Sequence, residues 1–185
     1  MKWSDSAAWR EVRIRNAAWL REWEATLPAE AKAEGERLPT FGQMLRRMRH
    51  EARAGRALPW VVTVLDRLAG QVTVGGIAYG SLRSAYLGYW IDERESGRGV
   101  MTTAVALASD YCRNELGLHR LELNIRPENE ASLALARRCG YRFEGERAGY
   151  LHINGDWRDH VTYVLFAGDL PGGVLAHVTA HDTPK

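Results

Sequence analysis

The residue types with the clearest chemical potential lie in one stretch, Tyr89-Trp90-Ile91-Asp92-Glu93-Arg94-Glu95-Ser96-Gly97-Arg98-Gly99-Val100-Met101-Thr102. An apolar run enters a short loop with two glycines, and the loop opens a long helical pattern. At such a junction the first N–H groups of the helix lack partners, and the positive end of the helix dipole faces the same spot. The ligand suited to that spot is a phosphate or pyrophosphate. Glycine lets the backbone come close to an anion that a side chain would hold away. Arg94 and Arg98 add charge-assisted donors. Two nucleotide motifs fail here. No Gly-x-x-x-x-Gly-Lys-Ser/Thr string occurs, and Thr102 stands where a dinucleotide fingerprint needs its third glycine.

Elements on both sides must hold that loop in place. Ser4 or Asp5 caps a first helix of about twenty residues, with Trp9, Val12, Trp19, Leu20 and Trp23 at helical spacing. Residues 29–39 read as a loop or short helix. Thr40-Phe41-Gly42-Gln43 is a capping box for a second helix, whose stripe is Phe41, Leu45, Met48 and Ala52 and whose stop is Gly55. The period then changes. Runs over 58–65, 71–78 and 86–91 predict three neighbouring antiparallel strands with turns at 66–70 and 80–84. A long helix over 98–116 carries a core stripe of Val100, Met101, Ala104, Val105, Ala108, Tyr111 and Cys112. A strand at 121–125, a helix at 130–139 and two strands at 141–152 and 157–166 follow, the last pair joined by the hairpin signal Asn154-Gly155. The tail, 169–185, has no periodicity and is expected to be irregular or disordered. The order predicts one α+β domain over 3–168, a mixed and mostly antiparallel central sheet flanked by helices.

Composition excludes several classes. The 185 residues are 45% hydrophobic and 26% charged, an ordinary globular balance of one-domain size. A net charge of +2 gives no footprint for nucleic acid as the main partner. Cys112 and Cys139 form no CxxC pair and have no His cluster beside them, so no metal site is expected and the thiols read as reduced and cytoplasmic. Residues 1–11 lack the apolar stretch of a signal peptide. The most apolar segment, 58–79, is broken by Asp66, Arg67 and glycines and cannot span a bilayer.

The hexapeptide Arg94-Glu95-Ser96-Gly97-Arg98-Gly99 fits the pattern Gln/Arg-x-x-Gly-x-Gly/Ala, and it resembles the pyrophosphate loop of the GNAT superfamily of N-acetyltransferases. Downstream, Asn129-Glu130-Ala131-Ser132 followed by Gly140-Tyr141 and Glu144-Gly145 resembles a second signature of that superfamily. Asn154-Gly155-Asp156-Trp157-Arg158-Asp159, together with the phrase from Trp19 to Pro28, is similar to the branch of ribosomal-protein-alanine N-acetyltransferases of RimJ/RimL type. The resemblance covers residues 3–166. It implies a sheet whose middle strands splay apart, acetyl-CoA as co-substrate, no metal, and direct acetyl transfer to a primary amine. It implies cofactor contacts from Ile91, Asp92, Arg94, Gly97, Arg98, Gly99, Val100, Met101, Thr102, Asn129 and Ser132. Ser132 would protonate the leaving thiolate, and Asn129 would bond the pantetheine arm. The local alternatives are a helix cap for Asn129 and a backbone bond for Ser132. The superfamily opens with an edge strand for which Met1-Lys2-Trp3 leaves no room; that strand is expected to be missing or to lie upstream.

The general base is the weak part of the pattern. The acid that the branch places before the Asn-Gly turn maps to Leu151 here. Glu144 and Glu122 stand foremost among the alternatives, with Glu146, Asp92 and Glu93 behind them. An α-amino group with a pKa near 8 is about a tenth neutral at pH 7, whereas a lysine near 10.4 is neutral at well under about 0.1%. A site with a weak base therefore suits a protein or peptide N-terminus, and the resemblance points to the N-terminal alanine of a ribosomal protein. The alternatives are a small amine, such as an aminoglycoside or polyamine, and a silent acyl-CoA-binding domain. Tyr89, Tyr150 and Trp157 either line the acceptor groove or pack the core. Either a monomer or a homodimer fits.

Overall fold

The structure, a computed structural model, describes residues 2–181. Its frame is a six-stranded sheet of order β1-β2-β3-β4-β6-β5. The strands are β1 (Leu58–Val64), β2 (Arg67–Ala78), β3 (Ser84–Ile91), β4 (Arg120–Ile125), β5 (Arg142–Ile153) and β6 (Asp156–Phe166). Four helices precede them: α1 (Ser6–Arg15), α2 (Ala17–Arg21), α3 (Ala29–Ala33) and α4 (Phe41–Arg53). Helix α5 (Val100–Asn114) follows β3, α6 (Glu130–Arg138) follows β4, and α7 (Val174–His181) follows β6.

All neighbouring strands pair antiparallel except β3 and β4, which run parallel. That parallel pair is short: Ser84, Ala85 and Tyr86 face Arg120, Leu121 and Glu122, and nothing pairs beyond them. β3 continues along β2 as far as Ile91, and β4 continues along β6 as far as Ile125. Each strand follows its antiparallel neighbour, so the middle of the sheet splits, as the resemblance implies.

One face of the sheet carries the main core. Val72, Val74, Leu87, Leu121 and Leu123 pack there against Met101, Val105 and Cys112 of α5 and Leu133 and Ala136 of α6. The opposite face is covered at one end by α1 and α4. Trp9 packs against Phe41 at 5.1 Å and against Trp90 at 6.3 Å, and its indole N–H donates to Gln71 at 3.2 Å. The expected capping box forms at Thr40, with Gln43 Oε1 accepting from the Thr40 N–H at 2.9 Å.

Three expectations are corrected. The first helix is not continuous: a 3-10 turn precedes α1, and α1 gives way to α2 at Asn16, whose φ of −98° and ψ of 11° leave the helical region. The buried Asn16 side chain is used elsewhere, as described below. The first hairpin turns at Leu65 and Asp66, with φ of 48° and 60°, not at 66–70; the left-handed pair gives the tight turn that matches strand twist. Residues 29–33 form the short helix that the sequence left open as one of two readings. The tail expected to be irregular holds α7, whose Val174 and Leu175 N–H groups donate to the Asp110 carboxylate at 2.7 and 2.9 Å. Val174 and Val178 are buried in the core cluster. Residues 182–185 lie outside the described residues. Among the described residues no strand precedes α1, and β1 is an edge of the sheet.

Candidate active site

The glycine loop turns where the sequence places it. Asp92 begins a 3-10 turn over Glu93–Glu95, and α5 starts after Gly99. Gly97 and Gly99 take φ of 72° and 78°, a region that costs other residues about 1–2 kcal/mol. A Cβ on either would meet no protein atom within 4 Å, so the space above both glycines is open for a ligand. The N–H groups of Val100, Met101 and Thr102 lie in the first turn of α5, where the helix's own ladder cannot reach them. Thr103 is the first residue to bond back, to Gly99 O at 2.9 Å. The loop thus presents unpaired donors and a dipole end to one open space, and its residues fit a pyrophosphate. Arg94 is exposed. Arg98 is 62% exposed and pairs with Glu95 at 2.7 Å, so its guanidinium is held beside the loop.

The split between β3 and β4 forms an opening of about 190 Å³ that passes through the sheet. Gly88, Tyr89 and Leu87 line it from β3, and Leu123, Asn124 and Ile125 from β4. Asn129 and Ser132 approach from the start of α6. Asn129 is a cap: its side-chain oxygen accepts from the Ser132 N–H at 3.0 Å. This bond orients Ser132, whose hydroxyl lies toward the Tyr89 hydroxyl. Tyr89 Oη is buried and completes no hydrogen bond within normal geometry. Burial pushes its pKa up to about 12, so it remains a protonated donor. A buried donor without an acceptor is costly unless a ligand supplies one, which makes Tyr89 and Ser132 a ready pair for a thioester sulfur or carbonyl oxygen.

Two carboxylates singled out from the sequence are not brought to this opening. Glu122 sits at the last paired position of β3 and β4, where the sheet is still closed. Its oxygens accept from Arg120 and Arg147, each at 2.9 Å. Glu144 on β5 makes a two-pronged pair with Arg120, which holds its carboxyl below the usual carboxylate range. A carboxylate held that low, as Glu144 is, makes a poor base. Asp92 is also turned away from the ligand space. Its buried carboxylate accepts from Arg15 at 2.5 Å and from Asn16 at 2.9 Å. Asn16 completes the latch by accepting the Glu93 N–H at 2.9 Å. The break between α1 and α2 is therefore the point at which the first helix is fastened to the glycine loop. Ile91 ends β3 and packs against the core. Tyr150 and Trp157 stand on the β5–β6 hairpin, 38% and 57% exposed, outside the lining of the opening.

Two features were not found from the sequence. One is the Arg15–Asn16–Asp92 latch, which joins residues 76 and 77 positions apart. The other is His160, buried at 4% exposure on β6, which lines the opening with Leu151 and Ile153. Alternation along β6 places its side chain on the face of Asn124 and Thr162, opposite Ser132. The pattern of β6 could have flagged a buried polar residue at position 160, but only pairing with β4 brings it to the opening.

The Acetyltransferase (GNAT) domain family matches residues 3–142. The [Ribosomal protein uS5]-alanine N-acetyltransferase of Escherichia coli is 30% identical over 174 residues, covering 91% of this chain and 87% of that protein. The probable N-acetyltransferase YjcK of Bacillus subtilis is 38% identical over 104 residues, 56% of this chain and 58% of that protein's length. Among solved structures, Mycobacterium smegmatis RimJ in complex with CoA-disulfide superposes with a TM-score of 0.90 at 34% identity, covering 98% of this chain and 86% of that one. The chain therefore belongs to the GNAT acetyltransferase family, and its relatives include the RimJ/RimL-type ribosomal-protein N-acetyltransferases.

Proposed function

We propose that this protein transfers the acetyl group of acetyl-CoA directly to the N-terminal amine of a protein, foremost an alanine at the start of a ribosomal protein. The observation that carries the reading is the opening through the split sheet beside the glycine loop. A pyrophosphate on the loop directs a pantetheine arm between β3 and β4, and the acceptor amine meets the thioester from the other face. The N–H groups of the loop and of the α5 first turn bind the phosphates. Beyond Tyr86 the side of β3 that faces β4 has no paired strand, so main-chain N–H groups pointing to that side can take the oxyanion. Ser132, set by the Asn129 cap, gives its proton to the leaving thiolate, with Tyr89 as a second donor.

The acceptor side supports a peptide terminus over a polyamine. The residues lining the opening include Arg126 and His160 and no carboxylate. A small polycation would want negative charge there. The two buried free thiols, Cys112 and Cys139, support a cytoplasmic setting. The test is acetyl-CoA titration by calorimetry, followed by acetylation of an Ala-initiated hexapeptide and of spermidine. Micromolar binding is expected, with at least a tenfold loss in Gly97→Val and Gly99→Val, whose side chains would enter the phosphate space. The peptide is expected to be the better acceptor. Binding without turnover would favour a silent acyl-CoA domain, and absence of binding would overturn the reading.

A further inference from the structure

A reaction of this kind releases a proton, and the two carboxylates foremost for taking it, Glu122 and Glu144, are tied to arginines. His160 meets the requirements that they fail. It lines the opening and is buried, on the sheet face that carries Asn124 and Thr162. Its Nδ1 lies 3.1 Å from the Arg158 carbonyl oxygen. That oxygen can only accept, so Nδ1 carries the hydrogen and Nε2 keeps its lone pair. The Tyr150 ring packs on the imidazole edge at 5.2 Å between centroids and fixes its plane. Ser132 stands on the opposite face of the sheet, so an acid and a base flank the opening from its two sides.

On the reading that this chain acetylates an amine, we propose that His160 Nε2 accepts the proton of the acceptor ammonium as that amine enters the opening between β3 and β4. The neutral amine then attacks the thioester carbon, forming the C–N bond while the C=O π pair moves to oxygen. On collapse the C–S bond breaks, and the sulfur takes the Ser132 hydroxyl proton. Ser132 regains a proton from the surplus N–H of the new amide nitrogen, and His160 sheds its own to water. One proton is released per turnover, as acetylation of an ammonium group requires.

The surrounding charges fit this role. Arg126 and Glu128, beyond the end of β4, are paired with each other at 3.1 Å. Asp159 neighbours His160 on β6, and Arg147, opposite on β5, bonds Glu122. Burial, with Arg126 adding to it, holds the imidazole below its ordinary 6.5, so it stays neutral at pH 7 and able to accept.

The test compares wild type with His160→Gln, using the Ala-initiated hexapeptide and spermidine. Acetyl-CoA affinity should stay within about twofold, which reports an intact fold and cofactor site. The rate kcat at pH 7 should fall on the order of 100-fold, recovering as pH rises and the amine loses its proton unaided. In wild type, kcat should show an acid limb centred below pH 6.5 with the same midpoint for both acceptors, although their amines differ in pKa. A glutamine variant within threefold of wild type, or a limb that moves with the acceptor, overturns the assignment of His160. If the variant does not fold, the wild-type limb decides alone. If wild type binds acetyl-CoA but acetylates neither amine, the functional reading itself falls, and the base assignment with it.

Discussion

Asp92 shows how a residue's role depends on what surrounds it. Its position at the strand–loop junction suggests a ligand contact, but its carboxylate points inward to Arg15 and Asn16. Burial alone would push the carboxyl up; the bonds from Arg15, Asn16 and the Arg94 N–H outweigh it and hold the group below its ordinary 3.8. A depressed folded-state value means that the stabilisation is fully present above the unfolded value and is lost as pH falls through the folded one. Asp92→Asn should therefore cost about 2 kcal/mol at pH 7. The gap from wild type should shrink below pH 3.8, as the native carboxyl itself protonates. Urea unfolding at pH 7 and at pH 3 measures both. A gap of equal size at the two values would show that the charge of Asp92 is not what holds the latch. Glycines 97 and 99 gave the opposite result: motif and structure agree, because a left-handed backbone is dictated by the residue type itself.

At the scale of elements, local signals performed best where an element carries its own start and stop. Thr40 and Gln43 cap α4 from within, and Asn154-Gly155, with φ of 49° and 89°, turns the last hairpin from within. α7 was missed because its cap is borrowed. Asp110 on α5 reaches the first N–H groups of a segment 64 residues later, and the apolar face of that segment fits the groove beside α5. Asp110→Ala should then cost about 1 kcal/mol through the lost cap. Val174→Ala should cost on the order of 2 kcal/mol through the lost burial of a fully enclosed side chain. Urea midpoints of the two variants report these losses, and wild-type midpoints in both would mean that α7 is not held to the fold. The broken first helix has the same cause in reverse. Helical spacing of Trp9, Val12, Trp19 and Leu20 is real, yet the Asn16 side chain bonds across to Asp92 and Glu93 and the backbone gives way at that point.

For the whole molecule, the buried thiols provide a probe of global unfolding. Cys112 and Cys139 are fully enclosed, and burial pushes both thiols up to about 12. Neither should react with a disulfide reagent at pH 8 in the native protein, and both should react in denaturing urea. Fast stoichiometric labelling of native protein would show that the helix layer over the sheet opens readily. The split sheet is the other property of the whole. The amino-acid sequence by itself determined the order of elements from α4 to β6, the antiparallel runs, the glycine loop and the Asn129–Ser132 helix start, since each is written in residues close together in the chain. It also carried the family resemblance, because those short motifs occur in order. Tertiary structure alone decided which polar groups meet: Glu122 and Glu144 on Arg120, Asp92 on Arg15, His160 beside the opening. The physical reason is that a carboxylate or imidazole has no role until its partners are fixed. Those partners come from strands and helices that only the register of the sheet brings together.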